Sequence, residues 1–461
     1  MEAFLGLVSA ISNWLWGIPL LVLLGGGGLF LTIYLGFFQF KYLPFIVKET
    51  FGKMFSKPEG EGTVSPFQAA TAALASTVGA SNIVGVPVAI AFGGPGAIFW
   101  MWVFALIGSA SKFSEILLGI KYREKNEEGE FVGGPMYYLA KGLKSKFLGA
   151  FFAFFLMIEI VPSIATQSVS FIQTAGTIGI PKMVSAIFMT VIVLTVVYGG
   201  IKRITKVTEK MVPLMALLYL AGALVIIAVN ITELPRVIAL IFTSAFTPLS
   251  AAGGFAGSTI AGALRWGSAR GTYSNEAGMG TAPMAHCAAV TDHPARQACW
   301  GIFEIIVDTM LICTTTAFVV LTTGLWETVP ASEAASIPAL AFQSVFGKAL
   351  GGGMVTFFIM MFVLSTIIVL VFYGEKQAEF LFGIKVAKVM KLVNVAAIIF
   401  GAIGGIEFLY QFLDLLLALV IIPNMIGLIV LRKEIKASID EFFGNPKYNP
   451  GAKKQLEKKA Q

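Results

Sequence analysis

Two stretches of this 461-residue chain place polar residues and helix breakers where an apolar helix would otherwise run. Ser81-Asn82-Ile-Val-Gly85 and Ser274-Asn275-Glu-Ala-Gly278 share the pattern Ser-Asn-x-x-Gly, and a proline follows each, Pro87 and Pro283. Backbone groups freed by such breaks persist inside a bilayer only where protein or a polar cavity supplies partners. Freed carbonyls and half-helix C-termini suit a cation, whereas freed N–H groups and the positive end of a half-helix suit a carboxylate. A single stretch also reads as a kinked packing helix whose small residues admit a close neighbour. Two of them, in corresponding positions of two halves, point to a binding site between the halves.

The spacing assigns roles around the first break. Gly79, Ala80 and Ser81 are the candidates to present N–H groups, and Ala75, Thr77 and Val78 to present carbonyls. Asn82 either donates to a carboxylate or ligates a cation through its amide oxygen. Ser365 and Thr366 are adjacent hydroxyls in a later apolar run. They either bond the carbonyl four residues back or serve as hard oxygen ligands of a sodium ion beside the first break. Glu304 and Asp308 lie one helical turn apart, and carboxylates inside a membrane span are functional by default. Glu304 is expected to pair with Arg270 or Arg296. That leaves Asp308, with Thr77 and Asn82, for a second cation site.

Around the second break, Tyr273, Ser274, Asn275, Glu276, Ala277, Gly278 and Met279 are the candidates for substrate contact. Glu276 either faces a substrate amine or is held by Arg270. Ala80, Ala277 and Met279, if they face the chamber, leave room for a methyl group and little more. Thr166 and Gln167 add polar groups from another span; Gln167 either lines the chamber or bridges helices. Asp414 and Asn424 read as packing, and His286 and His293 suggest no proton relay.

The elements that must carry these residues follow from composition. The chain is 57% hydrophobic and 13% charged, with mean hydropathy +0.83; an ordinary soluble protein carries roughly 25% charge. Apolar runs of about 20 residues recur, without the alternation of a membrane barrel. They fall at 14–40, 65–92, 96–120, 147–177, 181–197, 211–229, 255–290, 298–323, 352–372, 392–403 and 408–431, with 234–246 as an external interfacial helix. Only Glu2 is charged before Lys41, so the first run lacks the basic start of a secretory signal and is expected to stay as a helix. Cys287, Cys299 and Cys313 have no metal-ligand spacing and give no disulfide framework.

Of the 33 Lys and Arg, 27 fall on one side of this arrangement. That predicts an external N-terminus and a cytoplasmic C-terminus. The net charge of +7 therefore concerns topology and not nucleic acid. Setting the first helix aside leaves two sets of five spans, each opened by a broken helix and opposite in orientation, as inverted repeats require. The boundaries are 1–64 for the extra helix and basic loop, 65–230 and 231–431 for the repeats, and 432–461 for the tail.

Gly93-Gly-Pro-Gly-Ala-Ile-Phe-Trp-Met-Trp102 resembles the signature of the alanine or glycine:cation symporters. Arg270-Gly-Thr-Tyr-Ser-Asn-Glu-Ala-Gly-Met-Gly-Thr-Ala-Pro283 resembles that family's second long motif. The resemblance spans nearly the whole chain. It implies sodium-coupled uptake of alanine or glycine across the cell membrane, on an all-α LeuT-like fold of 5+5 inverted repeats with one extra N-terminal helix. Val78-Gly-Ala-Ser-Asn82 followed by Pro87 is similar to the first broken helix of the more distant neurotransmitter:sodium symporters. Ser365-Thr366 is similar to their cation site between the first and eighth core helices. Asp308 stands where those proteins have an asparagine at a second cation site, which puts the number and nature of the cation sites in question. No organic cofactor, nucleic acid or obligate protein partner is implied. The rival function is a gated channel, since polar breaks also line pores. A hydrolase fits less well, because no Ser/His or metal-ligand set converges.

Overall fold

The computed structural model describes residues 2–452 apart from 178, 251–254, 256 and 404–406. Eight helices are long and apolar enough to cross a membrane, or nine if one bent pair is a single span. They begin with α1 (Gly6–Tyr34). The bent pair is α2 (Pro66–Thr77) and α3 (Ser81–Gly93), which meet at 49°. Next come α4 (Gly96–Lys121), α5 (Lys146–Gly176), the shorter α6 (Lys182–Val197) and α7 (Gly200–Val229). After α8 (Leu234–Ser244), the second broken element is formed by α9 (Ile260–Asn275) and the single turn α10 (Pro283–His286). Then follow α11 (Pro294–Thr322), α12 (Lys348–Phe382), α13 (Ile384–Ile403) and α14 (Phe412–Val430). The tail forms α15 (Arg432–Gly444), and residues 453–461 lie outside the described residues.

A helix thus stands at each of the eleven expected positions. The 16 residues of α6 rise only about 24 Å against a hydrocarbon core of about 30 Å, and α9 is equally short. Several helices run past their apolar runs. Thus α7 starts at Gly200 and α13 at Ile384, ahead of the expected 211 and 392, because their first turns are basic and carry the helix beyond the apolar segment.

Local signals explain where the broken helices begin. Ser65 and Gln68 form a reciprocal capping box at the start of α2, with Pro66 in the first turn, a strong helix-start device. Thr259 caps α9 by accepting from Gly262 N–H. Gly267 and Gly271 let α9 press on Ala97 and Met101 of α4, where any side chain would collide. The windows of α4 and α12 are 78% buried and that of α1 only 39%, so α4 and α12 are central and α1 is peripheral. Helix α12 packs on α5, α7 and α2, while α4 packs on α9 and α11.

One end of the molecule is stitched shut. The segment entering α2 pairs with the segment leaving α10: Thr63 N–H donates to Ala288 O at 2.7 Å, and Val290 N–H to Val64 O at 2.8 Å. Arg123 spans the seam, donating to the carbonyls of Cys287, Ala289 and Glu61 at 2.9, 2.8 and 2.6 Å. Nearby, α15 seats Phe443 against Tyr42, with ring centroids 4.3 Å apart.

Candidate functional site

The first break frees the Ala75 carbonyl. In a continuous helix Gly79 N–H would donate to Ala75 O, four residues back. Here it donates to Thr77 O at 3.0 Å and to Asn82 Oδ1 at 3.0 Å. The freed Ala75 carbonyl faces Thr366 Oγ1 of α12 at 2.9 Å, a hydroxyl that also lies 3.0 Å from Phe362 O, four residues back on its own helix. Gly79 is needed here, because a Cβ would come 2.9 Å from Thr366 Oγ1. Ser365, the neighbouring hydroxyl, has other partners: it donates to Phe362 O at 2.9 Å and lies 3.5 Å from Met215 Sδ on α7. Adjacent helical residues point about 100° apart, which separates the two hydroxyls. Val78, fully buried, ends α2 as its C-cap.

Asp308 joins the two breaks. Asn82 Nδ2 donates to its Oδ1 at 2.6 Å, and Ser274 Oγ to its Oδ2 at 2.7 Å. Thr309 Oγ1 adds a bond at 2.9 Å, and Cys313 Sγ stands 3.2 Å from Ser274 Oγ. Asn275 donates to Thr309 Oγ1 at 3.1 Å. Two π-helical stretches, Ser81–Gly85 and Ile306–Cys313, present these residues; such insertions recur at functional sites. Among the described residues, no group of three or more His, Cys, Asp or Glu is placed to hold a metal. At the first break the available oxygens are a carbonyl and a hydroxyl, hard ligands that suit an alkali cation; around Asp308 they are carboxylate and hydroxyl oxygens, with Cys313 Sγ beside them.

Beside the first break lies a cavity of ≈ 30 Å³. Its polar lining includes Thr77, Ser81, Gln167, Tyr273, Glu276 and Thr366, and its apolar wall Leu156, Ile160, Met279, Leu370 and Leu417. Gln167 Oε1 is buried with no hydrogen-bond partner. The amide nitrogen of the same side chain would lie 3.6 Å from a Cβ at Gly79. An unpaired buried acceptor is costly, so a donor in the cavity would satisfy it. Tyr273 also borders a second cavity of ≈ 140 Å³, lined by Arg265, Trp266, Arg270 and Asp414 among others.

Several expected partners differ. Glu276, in the left-handed region at φ 56°, is not held by Arg270; it accepts from Ser76 Oγ at 3.3 Å and from Thr281 Oγ1. Arg270 lies over the Trp266 ring at 5.4 Å. Glu304 pairs with neither Arg270 nor Arg296. It contacts His286 Nε2 at 2.5 Å and Lys112 Nζ at 3.5 Å. Arg296 is eight residues away, about 12 Å along the helix, and pairs with Asp292 and Glu49. Of the three residues expected to limit size, only Met279 lines the cavity. Ala277 packs with Ala105 and Ile305, and Ala80 is buried outside the lining. Thr166 bonds its own helix at Ser163 O, 2.9 Å away, and is not in the wall. Thr77 lines the cavity but is not among the partners of Asp308.

Other residues hold the second break. Glu115 Oε1 accepts from Gly280 N–H at 3.2 Å and from Asn424 Nδ2 at 2.6 Å; the same Asn424 nitrogen donates to Gly278 O at 2.9 Å. Asn424 is therefore more than packing. Gly278, at φ +91°, leaves no room for a side chain beside Leu24 and Met425. Lys112 and Glu115, three residues apart in an apolar span, were the visible signal for this clamp.

The family model described as "Sodium:alanine symporter family" matches residues 1–457. An uncharacterized transporter, YflA of Bacillus subtilis, is 52% identical over 97% of this chain and 95% of its own length. The sodium/alanine symporter AgcS of Methanococcus maripaludis is 40% identical over 95% of this chain and 97% of its own. The probable sodium/glutamine symporter GlnT of Bacillus subtilis is 35% identical over 95% of this chain and 90% of its own. Among solved structures, MhsT in complex with L-phenylalanine superposes with TM-score 0.54 at 13% identity, covering 80% of this chain and 89% of that one. A manganese transporter of Eremococcus coleocola superposes with TM-score 0.51 at 12% identity, covering 85% and 84%. The fold is accordingly that of LeuT-like transporters.

Proposed function

Since the chain belongs to the sodium:alanine symporter family, we propose that it imports alanine and glycine with sodium by alternating access. Cation-coupled amino-acid symport is what the family and the related carriers support. The observation that carries it is the freed Ala75 carbonyl facing Thr366 Oγ1 at 2.9 Å beside a cavity of only ≈ 30 Å³. A sodium ion inserts between that carbonyl and hydroxyl, with Val78 and Ser365 completing the shell once Ser365 turns toward it. Asp308, beside Asn82 and Ser274, forms the second cation site. The substrate carboxylate lies at the break from Gly79 to Ser81, near the N-terminal end of α3, where the helix dipole favours it. The ammonium lies toward Gln167 Oε1, which lacks a partner.

Topology follows the charge bias, with the N-terminus outside and the basic loops and tail in the cytoplasm. The seam bridged by Arg123 is then the closed inner gate. The two repeats extend over 65–230 and 231–431. A cavity this small and bounded by bulky side chains favours a carrier over a pore. Sodium-dependent binding of labelled alanine to purified protein, challenged with alaninamide and leucine, tests the assignment. Alaninamide, lacking the carboxylate, and leucine, too large, should both compete poorly. Equal competition by either would contradict it.

A further inference from the structure

The helices that follow each break cross over to the other one. Helix α11, after the second break, brings Asp308 to Asn82 of the first at 2.6 Å. Helix α4, after the first break, brings Lys112 to Asn275 of the second, with Nζ 2.9 Å from Asn275 O. Asn82 and Asn275 hold the same place in the shared Ser-Asn-x-x-Gly pattern. The crossing therefore puts an anion at one break and a cation at its counterpart.

The second break frees a carbonyl as the first does. Met279 N–H donates to Glu276 O at 3.1 Å and not to Asn275 O, its partner in a continuous helix. At the first break, the freed Ala75 carbonyl meets a neutral hydroxyl. At the second, the freed Asn275 carbonyl meets the Lys112 ammonium. Lys112 is fully buried, and Glu304 Oε2 lies 3.5 Å from its Nζ. Glu115, Glu276 and Asp308 are within its electrostatic reach. A buried ammonium endures only with such pairing. Lys112 is not in the wall of the central cavity.

We propose that Lys112 is a tethered cation: its ammonium fills, at the second break, the kind of oxygen-lined position that a free cation enters at the first, and so limits how many sodium ions enter per cycle. Lys112 is on this account a positioning residue. The inference rests on the sodium-coupled reading above. Removing the ammonium leaves the Asn275 carbonyl and the Glu304 carboxylate facing an uncompensated position that a free sodium ion can enter.

The test compares the parent with Lys112→Met, Lys112→Arg and the double variant Lys112→Met/Glu304→Gln. Two curves are measured against sodium: alanine uptake in proteoliposomes and the melting temperature of the purified protein. Lys112→Met should show a Hill coefficient for sodium higher by about one, and a melting temperature that climbs more steeply with sodium than the parent's. Lys112→Arg, which keeps the charge, should follow the parent. The double variant, with the facing charge removed as well, should lose the added steepness. Lys112→Met curves that superimpose on the parent's, or a Lys112→Met protein lost at every sodium concentration, would overturn the proposal. A parent indifferent to sodium would instead overturn the coupled reading on which it stands.

Discussion

Thr366 Oγ1 stands 2.9 Å from the Ala75 carbonyl and 3.0 Å from Phe362 O of its own helix, so one hydroxyl joins the middle of α12 to the last turn of α2. The carbonyl is available because the chain turns away at Gly79, and the hydroxyl reaches it because α12 packs directly on α2. Replacing Thr366 by Ala deletes one oxygen and leaves a small residue that suits a helix interface. A hydrogen bond to a charged group is worth about 1.5–3 kcal/mol, so sodium affinity should fall roughly 10- to 150-fold. Alanine affinity at fixed sodium should fall with it, and raising sodium should partly restore it. Thr366→Ser should stay near the parent. Isothermal titration of both ligands is the check, and an unchanged sodium dependence in Thr366→Ala moves the ion elsewhere.

Asp308 offers the second place. Asp308→Asn keeps the shape and the bond accepted from Asn82, turns the group facing Ser274 from acceptor to donor, and removes the charge. If a sodium ion balances that carboxylate, the Hill coefficient for sodium should drop by about one, with alanine still transported. A coefficient equal to the parent's removes Asp308 from the ion count.

Substrate size should answer to the apolar wall. Met279 is the expected size-limiting residue that does line the cavity, together with Leu417 and Leu370. A hydrophobic pocket separates ligands by about 1–3 kcal/mol per methylene, so Met279→Ala should gain affinity for valine or leucine by roughly 10- to 100-fold relative to alanine. Ala277→Gly, on the far side of the break against Ala105, should leave the ranking alone. A Met279→Ala protein that excludes leucine as the parent does would count against this wall.

The seam at Arg123 predicts a gating effect. Cys287 is buried, and its carbonyl is one of three that the guanidinium holds. Arg123→Ala removes three charged hydrogen bonds at once and should favour the state open on that side. Maleimide labelling of Cys287, in protein with Cys299→Ala and Cys313→Ala, should then run several-fold faster. Labelling at the parent rate would show that the seam does not gate.

Much of this was legible in the residues. The breaks at Gly79 and Gly278 follow from local chemistry, whereas Thr366 was equally free to bond only its own helix. The convergence of Asn82, Ser274 and Asp308 was visible only as separate polar residues in apolar runs. Ion-pair partners were less accessible, because a sequence gives the turn on which Glu304 lies but not which neighbouring helix faces that turn. The charge of Lys112 was visible in its apolar run but not the carbonyl it meets, and Asn424 was hidden by its distance in sequence from Glu115. Which of Ser365 and Thr366 faces α2 depends on a rotation of about 100° that only packing fixes. Ala277 shows the same limit: it lies in the motif, yet it points at Gly108 of α4.

The most direct measurement is uptake of radiolabelled alanine into proteoliposomes with and without an inward sodium gradient. The account predicts accumulation above the external concentration, saturable in alanine, that disappears when sodium is equal on both sides or replaced by choline. Uptake that only equilibrates, or accumulates equally without the gradient, would contradict it.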